Sequence, residues 1–512
     1  MAAVINTNSA SLTAQRNLGM SQGALATSLQ RLSSGLRINS AKDDAAGLAI
    51  SDRMTSQVRG LDQARRNAND GVSLAQTAEG ALSTANDMLQ RIRELSVQSA
   101  NATNSVNDRA ALQAEANQLT SELDRLSVTT QFNGQNILDG TFGSANFQVG
   151  ANANQTITAT TTNFRTASFG NYRIGASTAN NSSGVGDLTT GSRVNANGSD
   201  AAETSRIQGG NFTINGSAGK TTIAVDAGDT AKNVASLINS KFSSTNVSAH
   251  ARTEIDLNEL SFNSGFSIEV QSNNATPLTV SFSTGGTHNA DGLAAAIKAF
   301  NDVASTSGVT AQLNLAGTGI TLVNETGENI NLGNKSAEGT LNAGGTQLAS
   351  INEAGDASEP ESGEKQEGKA TSVVGTGHLV LDSNKSFGLT NVSNTTDFFN
   401  TSSASSQLQS VSQIDISSVE GANRAISQVD SALGSVSDQR SSFGALQSRF
   451  ASVISTLQVS GENLTIARSR ILDTDYATET AALTRGQILQ QAGTAMLAQA
   501  NQVPNGVLAL LR

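Results

Sequence analysis

The chain has 512 residues, and its 43 acidic side chains outnumber 32 lysines and arginines, which gives a formal net charge of −11. An acidic chain argues against nucleic acid as a partner, because phosphate binding needs a basic face. The absence of cysteine excludes disulfides, thiolate metal sites and thiol nucleophiles. It fits either an intracellular protein or a chain that passes unfolded through a channel.

The N-terminal segment, residues 1–40, predicts a helix of low hydrophobicity. Leucines recur at heptad spacing, and a 3.5-residue repeat keeps one stripe facing a partner helix. The leucines of this repeat are Leu18, Leu25, Leu29, Leu32 and Leu36. The segment lacks the basic and apolar regions of a secretory signal, and no run along the chain is long enough to span a membrane. We therefore expect no cleaved signal peptide and no membrane insertion.

Helical spacing continues after a break in residues 41–60. The pair Asp43–Asp44 with Gly47 predicts a non-helical link followed by a helix start. A helix of about three to five turns or more should follow, up to about residue 100. Its apolar positions are Leu82, Ala85, Leu89 and Ile92.

Beyond this helix the pattern changes. A third helix is predicted from about Asp108 to Val128, and Asn-Gly within residues 131–140 predicts a β-hairpin. The strand-like region that follows holds an internal repeat at about 211–256 and 266–325. In each copy two alternating strands precede a short helix, which predicts two small α+β modules.

The C-terminal end is again helical. One tract keeps a 4-3 alternation with two polar breaks, and the pattern fits either a coiled coil or an ordinary bundle. Its positions are Ala422, Ile426, Val429, Leu433, Val436, Arg440, Phe443, Gln447, Phe450, Ile454 and Leu457. Residues 466–512 resemble the N-terminal segment in character, and Pro504 should break or kink the last helix.

Each end alone buries too little apolar surface to offset the ordering of its backbone, which costs about 1–2 kcal/mol per residue. We therefore expect both ends to be disordered in a free monomer and to fold only on association. The candidate association residues are Leu18, Leu25, Leu29, Leu32, Ile488, Leu489, Met496 and Val503.

Residues for chemistry are sparse. The three histidines, His250, His288 and His378, stand apart in the sequence, without the carboxylate spacing of a metal site. The HExxH, GxSxG and P-loop patterns are absent. The sequence therefore predicts neither an enzyme nor a protein with a bound cofactor.

Several long motifs stand out at both ends of the chain. They are Leu32–Met54, Ala64–Leu82, Leu89–Asn101, Gln131–Gly140 and Glu462–Arg512. These motifs resemble those of bacterial flagellins, and the resemblance covers about residues 1–140 and 418–512. It implies an α+β fold, in which both termini form an antiparallel helical coiled-coil or bundle core and a β-rich variable region with the two repeat modules is inserted.

The resemblance implies a flagellar filament subunit that polymerises by coupled folding and packing of its terminal helices. Residues 1–40 with 466–512 would form an inner tube, and residues 41–175 with 405–465 an outer tube that includes the hairpin. Residues 176–404 would form the surface-exposed variable part. A hook–filament junction protein shares the terminal architecture and is the alternative. A metallopeptidase insert is disfavoured because HExxH is missing.

The resemblance also implies location and partners. The chain would be exported by the type III route to the extracellular flagellum and would form a helical homopolymer. It would meet an export chaperone at its C-terminus, and filament cap and hook–filament junction proteins. A vertebrate Toll-like receptor would contact a surface in which Arg91 and Leu95, as i,i+4 neighbours, share a face. Its residues are Gln90, Arg91, Glu94, Leu95 and Glu115.

Overall fold

A computed structural model describes residues 7–175, 194–197, 207, 209–261, 263–287, 289–314, 316–336, 341–344, 346–348, 372–390 and 403–510. The helices are α1 Ser9–Ser34, α2 Ala45–Ala100, α3 Val106–Thr129, α4 Ala231–Ser240, α5 Phe242–Thr245, α6 Ala290–Asp302, α7 Ala304–Ser307, α8 Val419–Leu472 and α9 Tyr476–Leu510. The first strands are β1 Gln131–Phe132, β2 Gln135–Asn136, β3 Ser144–Gln148, β4 Thr156–Thr160, β5 Gly170–Ile174, β6 Val194–Asn197, β7 Gly210–Asn215, β8 Lys220–Val225, β9 Ser248–Asn258, β10 Gly265–Gln271 and β11 Leu278–Ser283. The remaining strands are β12 Thr310–Leu313, β13 Ile320–Asn324, β14 Ile330–Asn334, β15 Leu341–Ala343, β16 Thr346–Leu348, β17 Ser372–Gly375, β18 His378–Ser383, β19 Gly388–Thr390, β20 Ala404–Ser405 and β21 Gln407–Ser410.

The helices at both ends and the predicted hairpin are present, with two differences in length. Helix α2 is one continuous helix of 56 residues, far longer than the three to five turns expected at minimum. The hairpin turns at Asn133 and Gly134, which have positive φ angles of 50° and 78°. The expected break at Pro504 is wrong, because α9 continues to Leu510. Proline can remain inside a helix at the loss of one hydrogen bond.

The buried side of α2 keeps an unbroken 4-3 alternation over eleven positions. These are Ala64, Ala68, Gly71, Ala75, Ala78, Leu82, Ala85, Leu89, Ile92, Ser96 and Ser99. Only four of them stand out as apolar in the sequence. The first five are alanine or glycine, which carry little hydropathy, so the repeat begins earlier than its leucines indicate.

The buried side of α8 follows the predicted spine of every seventh residue, but the intermediate positions differ. The spine is Ala422, Val429, Val436, Phe443, Phe450 and Leu457. Between these residues Ala425 and Ala432 are buried, whereas the predicted Ile426 and Leu433 are only half-buried. The small alanines permit a close helix approach, and the larger residues lie at the edge of the contact.

The chain divides into two compact units. The first comprises Met1–Glu79, Phe142–Thr161 and Ser441–Arg512, and the second comprises Gly80–Thr141 and Thr162–Arg440. Helices α2 and α8 therefore contribute residues to both. The three layers inferred from the sequence remain a prediction.

The second unit contains the larger sheets, and every pairing between its described strands is antiparallel. One sheet has the order β11-β10-β14-β17-β6, a second β12-β13-β9-β18-β5-β21 with β15 and β16 attached, and a third β20-β19-β7-β8. Helix α6 packs Leu293 and Phe300 into one apolar core. Helix α4 packs Val234 and Ile238 into another.

The two predicted modules have the same order of elements: hairpin, helix, short helix and strand. Each also repeats one polar contact. Asn239 at the end of α4 donates to the carbonyl of Ala249 at 2.9 Å and accepts from its N–H at 2.8 Å. Asn301 in α6 makes the same pair of bonds with Ala311, again at 2.9 and 2.8 Å. The internal repeat therefore extends to side-chain geometry.

A carboxylate ties α3 to the segment before β5. Asp124 accepts hydrogen bonds from Arg165 at 3.2 Å and from the backbone N–H of Thr166 at 3.1 Å. The Arg165 contact is the main cause that holds the pKa of Asp124 below its ordinary value. A carboxyl with a lowered pKa stabilises the fold above its unfolded pKa of about 3.9, and this stability is lost as pH falls through the folded pKa.

Asp124→Asn is expected to lower the melting temperature at pH 7 and to lessen the fall in melting temperature between about pH 5 and pH 2. Melting curves of monomeric protein at a series of pH values measure both effects. The control is Asp87→Asn, which removes an exposed carboxyl from α2. Equal pH profiles for the two variants would contradict the role of Asp124.

Candidate functional site

Helices α1 and α9 pack against each other in antiparallel fashion within the first unit. Near the start of α1, the Asn8 amide donates to the carbonyl of Ala500 at 2.9 Å. Near the end of α1, the Arg31 guanidinium lies 3.8 Å from the Glu479 carboxylate. Contacts therefore run in opposite directions along the two helices, as expected for an antiparallel core built from both termini.

Two glycines of α9 receive two of the predicted leucines. A β-carbon placed on Gly493 would lie 3.1 Å from Leu18 Cδ1, and one placed on Gly486 would lie 3.4 Å from Leu25 Cδ1. These glycines are seven residues apart, the same spacing as the leucines that they contact. The sequence analysis missed them because glycine adds nothing to an apolar pattern. Their heptad spacing was the signal that could have identified them.

The pairing of α1 and α9 leaves much apolar surface uncovered. Leu18, Leu25 and Leu32 are half-buried. Other large apolar side chains remain exposed: Leu12 57%, Met20 61%, Leu29 51%, Ile488 60%, Leu489 50% and Met496 64%. Leu12 and Met20 were not among the predicted association residues. Val503 belongs to α9, but its side chain lies outside the described part of the chain.

A groove of about 540 Å³ includes two of these exposed side chains, Leu489 and Met496. Its walls come from both helices, and they include Ala14 and Leu18 on α1 and Leu489, Ala492 and Met496 on α9. The lining combines small and large apolar side chains, a surface that another helix can pack against.

A non-helical link follows α1, but the predicted position at residues 41–60 is wrong, because α1 ends at Ser34 and α2 already begins at Ala45. This link is bound to the segment between α8 and α9. Gly35 ends α1 with a φ of 70°, and Leu36 forms an antiparallel bridge with Asp473. The Arg37 N–H donates to the carbonyl of Leu472 at 2.6 Å. The link between α1 and α2 is thus bound to the link between α8 and α9.

Both acids of the link accept hydrogen bonds from backbone N–H groups. The Asp44 side chain accepts from the Gly47 N–H at 2.8 Å, which starts α2. Asp43 accepts from the N–H groups of Ser40 at 2.9 Å and Asn39 at 3.1 Å. These backbone bonds lower the pKa of Asp43. Neither carboxylate is arranged for catalysis.

The structure brings together most of the predicted receptor-contact residues. Arg91 donates to Glu94 at 3.0 Å and to Glu115 on α3 at 2.8 Å. Hydrogen bonds to Glu94 and then to Glu115 raise the pKa of Arg91. Gln90 is exposed beside this cluster. One guanidinium is therefore held in place by two carboxylates at the protein surface.

Leu95 does not belong to this exposed surface. Its side chain is fully buried, so the expected shared face with Arg91 is wrong. A helix has about 3.6 residues per turn, so a residue four positions further along lies about 40° around the helix. This rotation places Leu95 on the packed side of α2, where Ile92 is also buried. Leu95 can support the surface from below, but it cannot contact a partner of the folded subunit.

The described residues contain no cluster of three or more histidines and carboxylates suited to a metal ion. Within the same part of the chain, no helix is long and apolar enough to cross a membrane. The expectation that the histidines stand apart needs one correction. His250 and His378 line the same cavity of the second unit, whereas His288 lies outside the described residues.

Comparison with known sequences decides the family. Residues 5–143 match the bacterial flagellin N-terminal helical region, and residues 426–511 match the bacterial flagellin C-terminal helical region. Residues 211–265 match the flagellin hook IN motif, where the first repeat module lies. The B-type flagellin of Pseudomonas aeruginosa is 42% identical over 519 residues and is covered in full, as is this chain. The chain belongs to the bacterial flagellins.

Two further relatives agree over the whole length of both chains. The flagellin of Salmonella typhimurium is 37% identical over 547 residues, and flagellin D of Vibrio cholerae is 33% identical over 512. This flagellin is thus a structural subunit of the extracellular flagellar filament. The alternative of a hook–filament junction protein gives way to these full-length flagellin relatives.

Proposed function

We propose that this flagellin polymerises through the apolar side chains that α1 and α9 leave uncovered, and that burial of these side chains between subunits drives the folding of both ends. The observation that carries the proposal is the exposure of six large apolar side chains on one helix pair. A patch of this kind on an isolated chain marks an interaction surface.

The energetics favour ordering on assembly rather than in the monomer. The pair α1–α9 covers only part of its leucines, so the free subunit gains little from holding the pair together. Full burial of a leucine, isoleucine or methionine contributes about 1.5–3 kcal/mol. Neighbouring subunits supply that burial, and mass action then couples folding of the ends to polymerisation. When one face of a subunit binds a different face of its neighbour and the repeated contacts do not close into a ring, the subunits form a helical tube.

The three layers of the filament follow as part of this proposal. Residues 1–40 with 466–512 form the inner tube, residues 41–175 with 405–465 the outer tube, and residues 176–404 the exposed variable part. The β-bridge between Leu36 and Asp473 supports a boundary close to the first of these divisions.

Leu489→Ser is expected to raise the critical concentration for assembly about tenfold or more, because each subunit would lose apolar burial worth about 1.5–3 kcal/mol. Electron microscopy and sedimentation of heat-depolymerised protein, cooled with seeds, measure this. The matched control is Val106→Ser, which removes an exposed apolar side chain from α3. Equal critical concentrations for both variants would contradict the proposal, as would assembly of a chain that lacks residues 466–512.

The same surface suits the other flagellar partners. Before assembly, an export chaperone would cover the apolar stripe of residues 480–511 during type III export without a cleaved signal peptide. Filament cap and hook–filament junction proteins would meet the helical ends of the filament. The role of a packing subunit would need neither enzymatic activity nor a cofactor.

We further propose that the Arg91 cluster is the contact for a vertebrate Toll-like receptor. Gln90, Arg91, Glu94 and Glu115 are all exposed in the subunit, and the two carboxylates fix the guanidinium before any partner arrives. A guanidinium held in this way loses little side-chain entropy on binding.

Arg91→Gln is expected to weaken binding of the monomer to the receptor ectodomain about tenfold or more, because hydrogen bonds to a charged group contribute about 1.5–3 kcal/mol. Surface plasmon resonance measures the change. Arg125→Gln is the matched control, since Arg125 is an exposed arginine that pairs with Glu122 on α3. Equal affinities of the two variants would locate the receptor contact elsewhere.

A further inference from the structure

A cavity of about 380 Å³ in the second unit is not used by assembly or by the receptor-contact cluster. One wall is the face of the adjacent strands β5, β18 and β9. The opposite wall is the beginning of α8, from Glu420 to Ser427. This volume lies within the range of small-molecule sites, about 300–1,000 Å³.

The strand register places basic groups on this face. His378 is directly opposite Arg252, and His250 is opposite Val380 two residues further along the same pair of strands. Alternate residues of neighbouring strands share a face, so both histidines and Arg252 line the cavity together. Their distance along the sequence hides this arrangement.

Helix α8 is hydrogen-bonded to residues of the second unit just beyond the cavity. Ser431 donates to Asn171 of β5 at 3.2 Å, and Ser435 donates to the carbonyl of Asn384 at 3.5 Å. The turns of α8 before these contacts line the cavity instead, through Asn423 and others. These hydrogen bonds therefore fix the part of α8 that follows the cavity.

Two of the three lining arginines are each paired with one acid. Arg173 lies 2.7 Å from Asp382, and both side chains are more than nine-tenths buried. Arg424 lies 2.7 Å from Glu420 one turn earlier in α8. A guanidinium has five N–H donors, and a single carboxylate does not saturate them.

The third arginine faces two acids. Arg252 lies 2.6 Å from Glu254 and 3.3 Å from Glu325. Burial raises the pKa of Glu254, the carboxyl group that pairs with Arg252.

We propose that this cavity binds a small oxyanion, a carboxylate or a phosphate, on a ligand of about monosaccharide size. Planar guanidinium groups suit both oxyanions, because their N–H donors match the spacing of the two oxygens. Asn423 and Ser427 add the uncharged polar groups that orient a sugar. The proposal does not depend on how the filament assembles.

The test is calorimetric titration of the full chain with four probes: glucuronate, glucose 6-phosphate, inorganic phosphate and glucose. Glucuronate and glucose 6-phosphate should bind at least tenfold more tightly than glucose. Arg424→Gln should weaken this binding about tenfold. The control is Lys298→Gln, which removes another cation paired four residues away in a helix.

If inorganic phosphate binds as tightly as glucose 6-phosphate, the cavity recognises the oxyanion itself. If glucose 6-phosphate binds much more tightly than inorganic phosphate, the cavity also recognises the sugar. Either result supports the proposal. Equal binding of glucose and glucuronate would overturn it, as would no binding of any probe. An unchanged affinity in Arg424→Gln, with the same circular dichroism spectrum as the wild-type chain, would also overturn it.

Discussion

Replacing Phe450 with alanine is expected to lower the free energy of unfolding of the first unit by about 3–5 kcal/mol. Phe450 lies on the spine of α8 and is fully buried. It joins Ala68 of α2 with Val149 and Ile157 of the β3–β4 region in one apolar cluster. Loss of the ring would leave a cavity that the surrounding helices cannot fill, because their backbones are held by long helical segments.

The ring is held from two sides. Phe147 of β3 meets it edge to face, with ring centroids 5.5 Å apart. On the other side a β-carbon placed on Gly71 would lie 2.5 Å from the Phe450 ring, so only glycine fits there. The phenylalanine on α8 and the glycine on α2 therefore form one packing unit.

Urea unfolding of monomeric protein, followed by circular dichroism, measures the loss. Phe242→Ala is the matched control, since Phe242 is about half exposed and its removal should cost less than about 1 kcal/mol. Gly71→Val should also destabilise the first unit, because added carbon atoms would displace the ring. A Phe450→Ala variant as stable as the Phe242→Ala variant would show that this cluster does not hold the unit together.

The contrast between Phe450 and Gly71 shows which parts of the fold could be predicted. The spine of α8 is visible in the sequence because large apolar residues repeat every seven positions. The opposing surface of α2 is built from Ala64, Ala68 and Gly71, which are small and leave room for the side chains of α8. A hydropathy pattern identifies large apolar side chains that become buried, but it does not identify the small residues against which they pack.

The candidate site was predictable to a similar extent. The motifs located α1, α9 and the Arg91 cluster, and spacing identified most of the exposed apolar residues. Spacing did not separate Leu95 from Arg91, because a difference of about 40° around a helix decides between core and surface. It also could not show that His250 and His378 meet, since strand register across 128 positions is set by tertiary pairing.

Removal of the Asp382 carboxylate is expected to be as damaging in the second unit. Asp382 on β18 accepts from Arg173 Nε at 2.7 Å and Nη2 at 3.1 Å, and also from the Asn171 amide. Asp382→Ala leaves the Arg173 guanidinium buried without its counter-charge. Breaking a buried pair in this way costs about 3–5 kcal/mol. Faster hydrogen exchange in β5 and β18, together with urea unfolding, would measure the loss.

An exposed pair of the same residue types provides the control. Arg93 lies 2.6 Å from Asp430, and both side chains are nearly half exposed, so Asp430→Ala should cost less than about 1 kcal/mol. The double variant Arg173→Met with Asp382→Leu should recover most of the stability, because it removes both buried charges and keeps the volume. If Asp382→Ala and Asp430→Ala were equally mild, solvent would have to reach the Arg173 guanidinium once its partner is gone, and the cavity beside it would then be the path of entry.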